Sequence, residues 1–219
     1  VTLHTRRSFN RPQDRNEVNA YRNTHFSTYT KLSKYLSAMG YLILRLGDPE
    51  EFDYGEYIFD YASNRDKTDD RFDLAAICNS FFYIGCSSGL KFIGETFKIP
   101  SLLLNVAPYC DGGTQELSAV LFKEILDKKT GKILRFSEVM TTIFGLDSLF
   151  NLNYPDWHKR YEFKFNSSED ALEATKSFVK LIESNGEETS GMQRICDIYP
   201  SHNYIFFSPS YIYFQKTLC

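Results

Sequence analysis

The chain has 219 residues, of which 42% are hydrophobic, 16% aromatic and 24% charged, a composition that excludes a disordered chain and accommodates one sizeable α/β domain. Its net charge of −3 lacks the basic field that broad binding to nucleic acid or to a membrane surface requires. The five cysteines have no CxxC spacing and fit reduced, cytoplasmic thiols better than a disulfide framework or a zinc site.

The first hundred residues alternate predicted strands and helices. A strand over residues 1–5 precedes a polar, arginine-rich loop that runs to Thr24, and Ser27 then caps a helix that ends near Met39. The remaining predicted elements in this region are a strand over 41–45, an edge strand or turn over 57–61, a helix over 72–79, a strand over 81–84, a helix over 90–97 and a strand over 101–105. This alternation predicts a doubly wound, Rossmann-like, mostly parallel sheet with helices on both faces.

The second half of the chain has weaker patterns. We predict a single domain over 1–219, in which 110–219 holds a more helical extension and an aromatic C-terminal tail that packs back on the core. The predicted elements of this half are a helix over 116–126, a hairpin or exposed turn within KKTGKIL, a helix over 137–144 and a helix over 167–184 that begins at a serine cap followed by carboxylates.

A compact turn, Gly85-Cys-Ser-Ser-Gly89, follows the apolar run FFYI. Backbone N–H groups at a strand-to-helix turn can bind a phosphate, and Gly85 and Gly89 carry no side chain to obstruct it. Ser87 and Ser88 add hydroxyl donors. A tight turn without a ligand explains the same residues, since glycine commonly separates elements, and neither the dinucleotide nor the Walker glycine pattern is present. The Gly85–Gly89 turn is therefore a candidate diphosphate site.

Further polar side chains lie where the predicted parallel strands end. His4, Arg6 and Arg7 follow one another at the end of the first strand, and strand alternation places His4 and Arg6 on the same face. Ligands of open α/β sheets bind at the carboxyl ends of the strands, and arginine pairs with anionic groups. The alternatives are a core histidine bonded to the backbone and a solvated arginine surface.

Two more strands end in the same way. Arg45, Gly47 and Asp48 follow the second strand, and Asn105 ends the strand SLLLN. Each has an ordinary explanation, namely a surface ion pair between Arg45 and Asp48 and a turn residue at Asn105. Because four strand ends contribute polar groups to one edge, we expect an anion there, and a diphosphate would use them all.

Other chemistries have less support. Cys86 has no histidine within its motif, so a cysteine nucleophile would need a partner from elsewhere in the fold. The four histidines are scattered without metal-ligand spacing, so we expect no metal and no cofactor. Ser88 is not in the G-x-S-x-G context of serine hydrolases. No apolar run reaches the length of a membrane span.

The ordered segments VTLHTR, LILRLGDP, DLAAICNSFFYIGCSSGL, FKIPSLLLNVAP and SPSYIYF resemble a family of bacterial glycosyltransferases that carry a C-terminal nucleotide-sugar-binding half of the GT-B type. The resemblance implies catalytic roles for His4 and Arg6, which are similar to the HxR donor-phosphate motif of fucosyltransferase-like enzymes. It also implies that Ser87–Gly89 contacts the donor diphosphate. The residues Arg45, Gly47 and Asp48 match the RLGD stretch of the family.

The resemblance implies transfer of a sugar from a nucleotide diphosphate sugar to a glycan acceptor in bacterial surface polysaccharide synthesis, without a metal. The expected partners are the donor and the acceptor, and the expected location is the cytoplasm, with association at the inner membrane left open. A GT-B enzyme has a second half that holds the acceptor, and this chain opens at Val1 within a strand, so we expect an acceptor domain outside it. A non-catalytic nucleotide- or glycan-binding module is the alternative.

Overall fold

The computed structural model of the chain describes residues 1–6, 20–47, 49, 52–64, 71–107, 117–135, 138–139, 157–184, 204–208 and 211–212. For residues 157, 158, 204–208 and 211–212 only the backbone is described. Arg7 and Asp48, and most of the helix predicted over 137–144, lie outside the described residues.

The described strands form two sheets. They are β1 (Thr2–Thr5), β2 (Ile43–Gly47), β3 (Ile58–Asp60), β4 (Tyr83–Gly85), β5 (Ser101–Val106), β6 (Ser118–Phe122), β7 (Glu124–Asp127), β8 (Lys132–Ile133), β9 (Tyr161–Lys164), β10 (Tyr204–Ser208) and β11 (Tyr211–Ile212). The main sheet has the order β11-β10-β6-β5-β4-β1-β2-β3, in which β1 to β6 are parallel and β10 joins β6 antiparallel. The small antiparallel sheet has the order β8-β7-β9. The predicted doubly wound, mostly parallel sheet is confirmed.

Helices cover both faces of the main sheet. One core cluster joins Leu3 and Leu104 of the sheet to Leu32 and Phe178, and the other joins Leu103 to residues of the opposite face. The described α-helices are α1 (Thr30–Ala38), α2 (Tyr61–Asn64), α3 (Arg71–Cys78), α4 (Lys91–Thr96), α5 (Trp157–Arg160) and α6 (Ser168–Glu183). Helices α1 and α6 therefore cover one face, while α3, α4 and the small sheet cover the other.

The helix predicted over 116–126 is wrong, because β6 and β7 occupy this region. All five residues of β6 are buried, and a strand buried on both faces is a continuous apolar run that periodicity alone does not separate from a buried helix. The described residues of the 110–219 extension therefore include strands where a helix was expected. Strand β10, in the aromatic tail, pairs with β6.

Other element boundaries differ by smaller amounts. Strand β2 begins and ends two residues later than predicted, so Gly47 lies within it. Ser27 lies in a 3-10 helix, Phe26–Tyr29, and does not cap α1. The serine cap of α6 is confirmed, since the Ser167 hydroxyl accepts a hydrogen bond from the Asp170 N–H at 3.0 Å.

A pair of buried asparagines joins the carboxyl end of β5 to the start of α6. The Asn105 N–H donates to Asn166 Oδ1 at 2.6 Å, and the Asn166 N–H donates to Asn105 Oδ1 at 2.7 Å. Asn166 Nδ2 also donates to the Phe122 carbonyl at the end of β6, at 2.8 Å. Asn105 has a φ of 55°, a left-handed conformation that asparagine tolerates better than most residues. The pair therefore connects two strand ends to α6.

Replacing Asn166 by Ala tests this connection. The change removes hydrogen bonds from the buried Asn105 N–H and from the Phe122 carbonyl, so we expect the free energy of unfolding to fall by about 3 kcal/mol. The control is Asn79→Ala, which removes the hydrogen bond of an exposed amide to the Ala75 carbonyl and should change stability by less than about 1 kcal/mol. Urea denaturation measures both, and equal losses would contradict the structural role of the pair.

Candidate functional site

The order of the main sheet creates a crevice between β1 and β4. From β1 the chain proceeds to β2 and β3 on one side, and the later strands β4, β5 and β6 lie on the other. Ligands of open α/β sheets bind at the carboxyl ends of the strands where the strand order reverses in this way. The carboxyl edge, meaning the ends of β1, β2, β4, β5 and β6, is therefore where the topology places a ligand site.

His4 lies at this reversal and joins three strands. Its Nδ1 is 3.2 Å from the Ser88 hydroxyl oxygen and 3.8 Å from Cys86 Sγ, both in the turn that follows β4. On its other side the ring lies against Gly47 of β2, where an added Cβ would approach His4 Cδ2 to 2.8 Å and Nε2 to 3.1 Å. Gly47 also has a φ of 109°, which favours glycine. With 6% of its surface exposed, His4 is a buried connector of β1, β2 and β4.

The Gly85–Gly89 turn contains both buried and accessible residues. Ser87 and Ser88 are buried, and the Ser87 hydroxyl accepts a hydrogen bond from the Ala107 N–H at 3.3 Å. Gly85 lies beneath the ring of Tyr83, which a side chain at this position would displace. Gly89 is exposed and has no atom within 4 Å of the place where a Cβ would stand. Open space therefore adjoins the turn at Gly89, where a ligand could approach the backbone.

Residues 20–24, the end of the arginine-rich loop, connect the ends of β1, β4 and β6. We call this segment the 20–24 bridge. Thr24 and Arg6 bond to each other, through Thr24 N–H to Arg6 O at 3.0 Å and Arg6 N–H to Thr24 Oγ1 at 3.2 Å. Arg22 Nε donates to the Ser87 carbonyl at 3.1 Å. Lys123 Nζ, just after β6, donates to the Tyr21 and Asn23 carbonyls at 2.8 and 2.6 Å. Three cationic residues, Arg6, Arg22 and Lys123, are thus held at the carboxyl edge.

Burial shifts the pKa values of two ionisable groups at this edge in opposite directions. Burial lowers the pKa of Lys123 to about 7, an effect that the nearby Cys86 partly opposes. Burial raises the pKa of the Cys86 thiol to about 11, although the charge of Lys123 works against this rise. Cys86 is therefore a protonated, inaccessible thiol at neutral pH, and the structure gives no support to it as a nucleophile.

Arg45 lies apart from the residues around His4. It is in register with Leu3, so its side chain lies on the opposite face of the sheet from His4. Its guanidinium is fully buried, pairs with Asp60 at 2.6 Å and lies over the Tyr54 ring at 4.7 Å. The ion pair that the structure shows is buried and has Asp60 as a partner, so it differs from the surface pair with Asp48 that the sequence suggested. A role of Arg45 in binding a donor stays a prediction.

Asn105 is at the carboxyl edge but is engaged by Asn166, and its fully buried Nδ2 has no hydrogen-bond partner in the described structure. Its backbone connection accounts for its presence at the end of β5. Contact of Asn105 with a ligand also stays a prediction.

The positions of Lys123 and of the 20–24 bridge at this edge were not predicted from the sequence. Lys123 fell inside a region predicted as a helix, so its position after a strand was not apparent. The signal was available in the apolar run SAVLF followed by lysine, which has the same form as the runs that end at Arg45 and Asn105. Arg22 belonged to the recognised arginine cluster, but its contact with Ser87 spans 65 residues of sequence and has no local pattern.

The described residues contain neither a group of metal ligands nor a helix that could span a membrane. Within them, no three or more His, Cys, Asp or Glu side chains come together as metal ligands, and metal independence stays a prediction. None of the helices described here is long and apolar enough to cross a membrane.

No protein-family model and no curated protein matches this chain. Among solved structures it is similar to the glycosyl transferase family 9 protein from Veillonella parvula DSM 2008, at 12% sequence identity and a TM-score of 0.45. The match covers 82% of this chain and 46% of that one, so this chain corresponds to less than half of the other protein. Similarity at this level carries no information about the site.

Replacing Lys123 by Met tests whether burial lowers the pKa of the Lys123 ammonium. In the unfolded chain the lysine has its ordinary pKa of 10.5, so between pH 7 and 10.5 the unfolded state binds more protons than the folded state, and stability rises with pH. Cys86 acts in the opposite direction above pH 9, the ordinary pKa of its thiol, so pH 7 to 9 is the clean window. We expect the wild type to gain about 2 kcal/mol over this range relative to the Met variant.

The measurement is urea denaturation at a series of pH values. Lys180→Met removes an exposed lysine from the last turn of α6 and serves as the control, with a pH dependence like that of the wild type. Parallel pH curves for the wild type and the Lys123 variant would show that the ammonium keeps its ordinary pKa on folding.

Proposed function

We propose that this domain binds the diphosphate of a nucleotide sugar at the carboxyl edge and acts in the transfer of the sugar to a glycan acceptor. The observation that carries the proposal is the contact between His4 and Ser88 at the reversal of strand order. These residues belong to the two motifs, HxR and Ser-Ser-Gly, on which the resemblance to glycosyltransferases depends. They are 84 residues apart in sequence, and their meeting supports a shared site.

The electrostatics of the edge also support an anionic ligand. Arg6 is partly exposed directly after β1, and Arg22 is partly exposed beside Ser87. Gly89, the residue after Ser88, adjoins open space. The cations Arg6 and Arg22 are concentrated at the carboxyl edge although the whole chain carries a net charge of −3. A diphosphate would be stabilised by charge-assisted hydrogen bonds from these guanidinium groups.

The proposed chemistry is a substitution at the anomeric carbon of the donor sugar. The acceptor hydroxyl forms the new C–O bond, the bond between the anomeric carbon and the diphosphate oxygen breaks, and the acceptor proton passes to a base. Negative charge develops on the departing diphosphate, where Arg6 and Arg22 would stabilise the transition state. The burial of His4 between Ser88 and Gly47 favours a positioning role for this residue over that of the base.

The finer parts of the proposal depend on the resemblance alone. These are a hexosyl or fucosyl donor, metal independence, a role in bacterial surface polysaccharide, a cytoplasmic site of action at or near the inner membrane, and an acceptor domain outside this chain. A non-catalytic nucleotide- or glycan-binding module is the second candidate. The observation that favours it is the engagement of the buried His4 and Ser88 side chains within the protein.

Binding of UDP, GDP, ADP, CDP and inorganic pyrophosphate, measured by calorimetry, tests the proposal. We expect at least one nucleoside diphosphate to bind, and Arg6→Ala to weaken its affinity roughly 10- to 100-fold, since a hydrogen bond from a charged group is lost. Lys180→Ala, which removes an exposed charge from α6, is the control and should leave the affinity unchanged.

Turnover separates the two candidates. Release of a nucleoside diphosphate from its nucleotide sugar, in the presence of glycan acceptors, supports the transferase, whereas binding without release in the full-length protein supports the module. Failure of every nucleotide and of pyrophosphate to bind would overturn the transferase and the nucleotide-binding module.

A further inference from the structure

A cavity of about 210 Å³ lies beside the end of β6, outside the residues around His4. Four aromatic residues line it, together with Ala20, Glu162 and two lysines; the aromatic residues are Tyr21, Tyr161, Phe163 and Phe165. Sites for whole drug-sized ligands typically have volumes of about 300–1,000 Å³. This cavity is thus the size of a site for one part of such a ligand.

The aromatic lining follows from the small sheet. Tyr161 and Phe163 are two residues apart in β9, so strand alternation places them on one side, and Phe165 follows directly after the strand. The Tyr21 ring packs on Phe163 with centroids 5.7 Å apart. Lys123 Nζ lies 4.3 Å from the centroid of Phe165, which fixes this ring against the buried ammonium. The cavity is therefore a preformed set of aromatic surfaces.

The cavity and the Gly85–Gly89 turn share a structural element. Tyr21 lines the cavity, and the next residue, Arg22, donates to the carbonyl of Ser87 in the turn. Lys123 lines the cavity from the end of β6, two strands from β4. Adjacent strands are about 4.8 Å apart, so the strand that Lys123 follows lies roughly 10 Å from β4 across the sheet. One extended ligand can reach both places.

We infer that this cavity binds the planar heteroaromatic base of the nucleotide whose diphosphate occupies the turn. A base has two π-faces that stack on aromatic side chains whatever its identity, and four of the eight lining residues are aromatic. The exposed residues Lys128 and Glu162 offer a donor and an acceptor for the polar edge of a base. The inference rests on the proposed function, since it identifies the second half of the same ligand.

The test compares nucleoside diphosphates with pyrophosphate on the full chain by calorimetry. We expect the best of UDP, GDP, ADP and CDP to bind at least roughly ten-fold more tightly than pyrophosphate, because stacking adds to diphosphate contacts. Phe163→Leu and Phe165→Leu keep apolar volume but remove a ring. Each should weaken nucleotide binding about ten-fold and leave pyrophosphate binding unchanged.

Phe81→Leu is the matched control. Phe81 is 55% exposed, as Phe165 is 45% exposed, but it precedes β4 and lies at the amino end of that strand. This variant should bind both ligands like the wild type. Unchanged pyrophosphate binding in the Phe163 and Phe165 variants also verifies that they are folded.

The outcomes separate this inference from the proposed function. Binding of pyrophosphate and of all nucleotides with equal affinity would overturn the base site while leaving the diphosphate site intact. Nucleotide binding that is unaffected in both Phe variants would also overturn it. Binding of free nucleosides at the cavity without any pyrophosphate binding would contradict the diphosphate site, and absence of all binding would remove both.

Discussion

The position of His4 between Ser88 and Gly47 determines the geometry of the whole carboxyl edge. Residues from three strands meet at this ring: β1 supplies the histidine, β2 supplies a glycine whose missing side chain makes room for it, and the turn after β4 supplies the serine. The order of the parallel strands reverses between β1 and β4, where open α/β sheets have a crevice at their carboxyl ends, and the contact between His4 and Ser88 spans this point. A buried imidazole thus holds the turn in place beside Arg6.

The 20–24 bridge extends this arrangement across the sheet. Three of its five residues form a short 3-10 helix, Ala20–Arg22. Its backbone carbonyls accept from Lys123, and its side chains contact Arg6 and Ser87. A buried lysine is costly to keep charged, and its two carbonyl acceptors are satisfied by either the ammonium or the neutral amine, since both forms have at least two N–H donors. The bridge therefore stays attached to β6 through the pH range in which Lys123 titrates.

In the proposed complex, cationic residues contact the diphosphate of the ligand and aromatic residues contact its base. The arginines lie near the turn, and the rings of β9 lie beyond Lys123 at the other end of the 20–24 bridge. This separation of charge-binding and stacking surfaces matches the chemistry of a nucleotide, in which the diphosphate and the base are distinct groups joined by a ribose.

Much of the fold was predictable from local patterns, and the site was predictable in part. The alternation of apolar runs and helical segments before Pro108 predicted the parallel sheet, and His4, Arg6 and the Gly85–Gly89 turn were recognised because each follows a clear strand. The sequence did not show that Arg45 lies on the opposite face of the sheet from His4, because the face to which a strand side chain points depends on register with its neighbours. The contacts of Lys123 with Asn23 span 100 residues of sequence, which no local pattern encodes. The β6–β7 region was predicted wrongly because an apolar run buried on both faces of a sheet does not differ in periodicity from a buried helix.

A crystal structure of the full chain with its preferred nucleoside diphosphate tests the central claim most directly. We expect phosphate oxygens at the ends of β1 and β4, within hydrogen-bonding distance of Arg6 or of the backbone at Gly89, with His4 still in contact with Ser88. A diphosphate bound elsewhere on the protein, with no ligand at the Gly85–Gly89 turn, would contradict it.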